Sequence, residues 1–106
     1  MNYRIVIMPL AKANLLDIKD YIENNLQSPE TAHNYIRKIM KRIALLSETP
    51  FIYPLYNDEP WRSKGLRHFP VDKYIVYYKV DEQTKTVNVV KVTYGMRDSS
   101  MQLKEI

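Results

Sequence analysis

Residues 64–94 read KGLRHFPVDKYIVYYKVDEQTKTVNVVKVTY, and three β-forming runs lie within them. Lys64–Val71 is the first, Tyr74–Val80 the second and Thr86–Tyr94 the third. All three are rich in Val, Ile, Tyr and Thr, residue types that suit a pleated, half-buried surface. Asp72-Lys73 separates the first pair, and Asp81-Glu82-Gln83-Thr84 separates the second. Connections this short predict antiparallel neighbours, hence a three-stranded meander. In the middle strand Tyr74, Val76, Tyr78 and Val80 alternate, so they share one face and mark the side that packs on a core.

That apolar face needs a cover, and residues 1–50 supply it. Tyr3–Met8 (YRIVIM) is a fourth β run, closed by Pro9, which cannot donate to a strand ladder. Beyond it Ala11, Leu15, Ile18, Ile22 and Leu26 recur at spacings of three and four, one apolar face of a helix. Lys12, Asp17, Lys19, Asp20 and Glu23 fall mostly elsewhere on that wheel, and Asn24-Asn25 ends it. Ser28-Pro29-Glu30 opens a second helix. Ser28 caps the free N–H groups, Pro29 sits where its missing donor costs nothing, and Glu30 favours the positive dipole end. Ala32, Tyr35, Ile36, Ile39, Met40, Ile43 and Leu46 form its apolar stripe, which stops before Pro50; His33, Arg37, Lys38, Lys41 and Arg42 occupy the opposite face. So short a turn between two amphipathic helices predicts an antiparallel hairpin. Residues 50–63, with Pro50, Pro54, Pro60 and Trp61, read as an ordered loop that packs its aromatics along the core edge.

The order β-α-α-β-β-β predicts an α+β fold, a helical hairpin packed on one face of a mainly antiparallel four-stranded sheet. The other face is left open, at least in part, to carry function. The tail, Asp98–Ile106, is expected to form a short last helix or a mobile end.

A length of 106 residues suits one domain spanning the whole chain. There is no linker composition, repeat or low-complexity stretch. No apolar run is long enough for a bilayer, and the N-terminus lacks the cleavage site of a signal peptide. No cysteine is present, which excludes disulfide and thiol chemistry, and two histidines, His33 and His68, are too few for a structural zinc site. The expectations are a cytoplasmic protein with no membrane partner, no metal and no cofactor. Charge is divided unevenly along the chain. Residues 1–59 carry 7 basic and 7 acidic side chains, whereas residues 60–106 carry 9 basic and 5 acidic, the whole of the net +4. A basic half points to a polyanionic or acidic partner.

Several pieces, in order, carry a resemblance: the opening strand and amphipathic helix, the turn NLQSPETAHNY, and the helix ending ALLSETP. KGLRHFPV, DKYIVYYKV and the closing VVKVTYGMRD complete it. Across nearly the full chain this order and spacing resembles the RelE/ParE superfamily, the toxins of bacterial type II toxin–antitoxin systems. The resemblance implies a cognate antitoxin that wraps and neutralises the chain, often through an acidic or amphipathic segment. It implies one of two targets: RelE-like members cut messenger RNA in the ribosome, and ParE-like members poison DNA gyrase.

Metal-free RNA cleavage requires a base for the 2′-OH, cations for the charge building on phosphate, and an acid for the leaving oxygen. RelE-like enzymes assemble these on the sheet and complete them with a tyrosine or histidine near the C-terminus. The matching region here offers Lys64, Arg67, Lys91 and Arg97 as target-binding cations. Arg67, Tyr94 and Arg97 are the catalytic candidates if the chain is RelE-like, with His68 as a substitute. Two departures weigh against that chemistry. The tail after Arg97, DSSMQLKEI, has neither tyrosine nor histidine, and Ile75 stands where RelE-like enzymes carry a phosphate-binding arginine. The run LRHFPVDKYIVYYKV is closer to ParE-like members, so a non-enzymatic gyrase poison is the favoured expectation and a ribosome-dependent endonuclease the alternative. A third reading, a non-toxic RNA-binding module, requires the strand tyrosines to be free for base stacking.

Overall fold

The computed structural model describes residues 2–95 and Leu103, the side chain of Leu26 excepted. Strand β1 is Arg4–Ile7, helix α1 Pro9–Leu26, helix α2 Pro29–Ala44, and strands β2, β3 and β4 are Arg67–Val71, Tyr74–Asp81 and Thr86–Tyr94. The expected meander is present: β2 pairs antiparallel with β3, and β3 antiparallel with β4. Strand β1 lies parallel to β4 on the far side, giving the order β1-β4-β3-β2. The two helices pack on one face of this sheet, as expected.

Pro9 ends nothing. It occupies the first turn of α1, where no intrahelical donor is needed. The helix also runs through Asn24-Asn25 and stops at Gln27, which takes the left-handed cap with φ 50°. Helix α2 begins as its sequence predicts: the Ser28 hydroxyl accepts the Thr31 N–H at 3.2 Å. It leaves through a 3-10 turn, Leu45–Ser47. Strand β2 starts at Arg67 rather than Lys64. Gly65, at φ 80°, takes a left-handed turn that a strand cannot contain, and the Lys64 N–H is drawn back onto Trp61 and Pro60 carbonyls.

The main core lies between the helices and the sheet. Ala11, Leu15, Ile18, Ile22, Ala32, Ile39 and Ile43 meet Phe69, Val71, Val76, Tyr78, Val87, Val89 and Val92, all buried. The predicted Tyr74, Val76, Tyr78, Val80 face is on this side, with Val80 only partly buried. Arg42 leaves the solvent face of α2 assigned to it. Its guanidinium lies 5.6 Å from the Phe69 ring centroid and donates to the Tyr53 hydroxyl at 3.0 Å.

Strand β4 contains an irregularity that sets the other face. Tyr77 is level with Lys91, but Tyr78 is level with Val89, so Val90 is an extra residue. A bulge of this kind puts Val90 and Lys91 on the same face and restores Val92 to the core. The freed Val92 N–H is met from the helix layer by the Asn14 side chain at 3.0 Å. The β2 edge is blunted. Leu55 bridges to Arg67, the His68 N–H donates to the Pro54 carbonyl, and Pro70 removes the next donor along.

Candidate functional site

The face away from the helices is where strand pleating places His68, Ile75, Tyr77, Lys79, Asn88, Lys91 and Thr93. Half of it is already occupied. Tyr56, Leu66, Tyr77 and Leu103 form a second buried cluster, with Trp61, Ile75 and Val90 packed against it. The loop is pinned there by main-chain bonds, Tyr56 N–H to Leu66 carbonyl at 2.7 Å, and by the Trp61 indole, which donates to the Leu103 carbonyl at 3.0 Å. The 50–63 loop was expected at the core edge; it packs aromatics over both faces. Tyr53 stacks on Phe69 on the helix side at 4.3 Å, while Tyr56 crosses Trp61 and His68 on the other.

His68 lies between Tyr56 (5.4 Å between centroids) and Tyr77 (6.1 Å, stacked). Its Nδ1 is buried and meets no hydrogen-bond partner among the described residues, and burial pushes the imidazole below its usual range. It is therefore held neutral. Lys91, level with Tyr77, is only 4% exposed, a buried cation on the same face. Towards the β3–β4 turn the covering stops. There Lys64 and Lys79 border a shallow hollow with Val80, Asp81, Glu82, Gln83 and Asn88. Lys64 is thus close to the sheet it was expected to belong to, but on a turn above it.

The remaining candidates are elsewhere. Arg67 projects to the helix side, since it is level with Tyr78; it donates to the Tyr53 carbonyl at 2.6 Å and lies over the Phe51 ring at 5.1 Å. Tyr94 also lies on the helix side, edge-on to Tyr74 at 5.8 Å. Tyr94 is level with Tyr74 and Arg67 with Tyr78, so roughly 13 Å of strand direction separates them, and β3 lies between their strands. Arg97 lies outside the described residues, as do most of the tail positions assigned a last helix. Of the six residues singled out, the structure gathers Lys64, His68 and Lys91 towards one face, and turns Arg67 and Tyr94 away from it.

Lys79 and Tyr77 were missed as members of this face. Strict alternation along β3, with Val76 and Tyr78 inward, would have found both. The V-N-V-V-K-V phase change in β4 is the only sequence sign that Lys91 faces outward.

The chain matches, over residues 5–99, the sequence profile of the ParE toxin of the type II toxin–antitoxin system parDE. No curated protein sequence matches it. Among solved structures it is similar to the chromosomal ParDE system of P. aeruginosa, with a TM-score of 0.71, 18% identity, and 87% of this chain and 95% of that one covered. A RelBE toxin–antitoxin complex of Mycobacterium tuberculosis is similar with a TM-score of 0.61 at 16% identity, covering 89% and 99%. A mutant RelE toxin of E. coli in its free state is similar with a TM-score of 0.62 at 14% identity, covering 96% and 93%. At these identities the structures share a fold.

Proposed function

The chain belongs to the ParE toxins of type II toxin–antitoxin systems, and from that membership we propose that it arrests growth by binding DNA gyrase and not by cutting RNA. The observation that supports this reading is the dispersal of the groups that cleavage would need. Arg67 is committed to the Tyr53 carbonyl on the helix side, Tyr94 is edge-on to Tyr74, and Lys91 faces the opposite way. A general acid and base must reach the same phosphodiester within hydrogen-bonding distance; Arg67 and Tyr94 share the helix side but are roughly 13 Å apart along the strands, and Lys91 is on the other face. His68 is held neutral between two tyrosines and offers no charged acid. What remains on this face is its uncovered part, where Lys64 and Lys79 stand free to dock a partner.

Lys64 and Lys79 are the described cations through which the target would be held, with Arg97 in the tail as a third; Lys91, at 4% exposure, is too buried to make such a contact. Docking traps gyrase with its DNA cleaved. No helix among the described residues is long and apolar enough to cross a membrane, and a cytoplasmic site of action agrees with such a target. Neutralisation falls to a cognate antitoxin. The test is a supercoiling assay with purified gyrase and antitoxin-free toxin, alongside primer extension on translated messages from induced cells. Inhibited supercoiling with stabilised double-strand breaks and intact messages is expected. Cuts within codons, lost in Arg97→Ala, would establish the ribosome-dependent alternative instead.

A further inference from the structure

Lys64 stands off the sheet, on a segment that is tightly built for its length. From Asp58 the chain makes a short helical coil. The Arg62 N–H donates to the Asp58 carbonyl at 3.0 Å, and the Lys64 N–H to the Pro60 and Trp61 carbonyls at 3.2 and 3.1 Å. The coil ends in a Schellman motif. The Leu66 N–H reaches back to the Trp61 carbonyl at 3.1 Å and the Gly65 N–H to the Arg62 carbonyl at 3.0 Å, with Gly65 left-handed. The apolar contact that accompanies such a stop is present as well, because Leu66 and Trp61 both belong to the second cluster. Lys64 is the last residue before the left-handed glycine, exposed, and borders the hollow beside Lys79.

One link of the coil is made by a side chain. Between the Arg62 and Lys64 bonds, the Ser63 N–H goes to one Glu59 carboxylate oxygen at 2.8 Å, and the Ser63 hydroxyl donates to the other at 2.7 Å. The hydroxyl bond first, and the N–H bond after it, hold the Glu59 carboxyl below the usual carboxylate range. Glu59 and Ser63 are both exposed, so core packing does not account for them. A negative charge on the segment that carries a docking cation weakens its attraction for an acidic or polyanionic partner. The bonds to Ser63 give that charge a use. We propose that Glu59 is a positioning residue: through Ser63 it fixes the coil that presents Lys64 beside Lys79, so that the two ammonium groups meet the target as a pair. This rests on the reading of Lys64 as a docking cation. A lysine on a loose segment loses backbone freedom when it binds. One whose backbone is already fixed loses less, and the difference appears as affinity.

A double-mutant cycle on the full toxin tests this, read as the concentration that half-inhibits gyrase supercoiling and as the induction level that half-arrests growth. Glu59→Ala should raise both by about threefold or more. Glu59→Gln loses the same charge but keeps an acceptor for Ser63, and should restore most of the potency. In a Lys64→Ala background Glu59→Ala should add nothing, because the residue through which Glu59 acts is gone. Amide hydrogen exchange by NMR gives a local reading. The Lys64, Gly65 and Leu66 amides should exchange faster in Glu59→Ala, while those paired between β3 and β4 are unchanged. A Glu59→Ala or Lys64→Ala toxin as potent as the parent overturns the proposal. Equal losses from Glu59→Ala with and without Lys64 also overturn it, since Glu59 would then serve general stability. So do equal losses in Glu59→Ala and Glu59→Gln, which would reduce its part to charge. Failure of the gyrase reading is separate: the parent toxin would leave supercoiling untouched, and the cycle would still be read from growth arrest.

Discussion

Tyr78 is fully buried, and its hydroxyl donates to the Pro50 carbonyl at 2.9 Å. Burial is the main reason its acidity is suppressed, up to about 12, so the phenol remains a donor at any working pH. The bond fixes the start of the loop that carries Phe51 and Tyr53. Tyr78→Phe leaves a carbonyl unsatisfied in the core, and a loss of about 1–3 kcal/mol is expected in denaturant midpoint experiments. His68 gives a second prediction at this scale. Its folded pKa is depressed by burial below the ordinary imidazole value of about 6.5, so the unfolded chain binds the proton more readily. Stability is then complete above pH 6.5 and declines as pH falls from there towards the folded value. Urea midpoints measured from pH 7.5 to 5 should show this slope, and His68→Gln should flatten it.

At the scale of the elements, Asn14 is the residue that ties the bulge in β4 to the helix layer. Without the bulge, strict alternation from Val87 would turn Lys91 and Thr93 to the helix side and carry Val92 away from the core. One extra residue resolves that conflict at the cost of an unpaired N–H on Val92, which Asn14 satisfies. Asn14→Leu is therefore expected to destabilise by about 1–3 kcal/mol although it adds apolar area, because a buried donor loses its partner. Thermal unfolding of Asn14→Leu against Asn14→Asp would check it, the carboxylate retaining an acceptor. This part of the molecule also marks the limit of reading from sequence. Strand alternation in β3, the Ser28-Pro29 helix start and the meander all follow from local rules, and all are present. The positions of Pro9 and Lys64 do not, because a proline suits a helix start as well as a strand end, and one left-handed glycine decides where β2 begins. Opposite placement of Arg67 and Lys91 depends on the register of three strands and a bulge, which no single segment encodes. The candidate cations were legible as a list; their division between two faces was not.

At the scale of the whole molecule, the question is what the uneven charge accomplishes. Of the basic residues in the C-terminal half, Arg67 is spent on loop packing and Lys85 lies against Tyr3, while Lys64 and Lys79 border the uncovered part of the open face. If that face meets the target, its charge should govern the rate of encounter more than the grip of the final complex. The double variant Lys64→Glu/Lys79→Glu takes the formal net charge from +4 to zero. Asp81, Glu82 and the two new acids would then make the hollow wholly acidic. The toxin concentration that half-inhibits gyrase supercoiling should rise by about tenfold, and its dependence on salt should shrink, since steering by exposed charges is screened beyond about 8–10 Å. Stability is expected to stay within about 0.5 kcal/mol of the parent, as for other surface changes. Antitoxin binding should fall far less than gyrase inhibition if the two partners use different surfaces. Equal losses in both would mean that one surface serves both partners, and unchanged inhibition would move the docking face away from this side of the sheet.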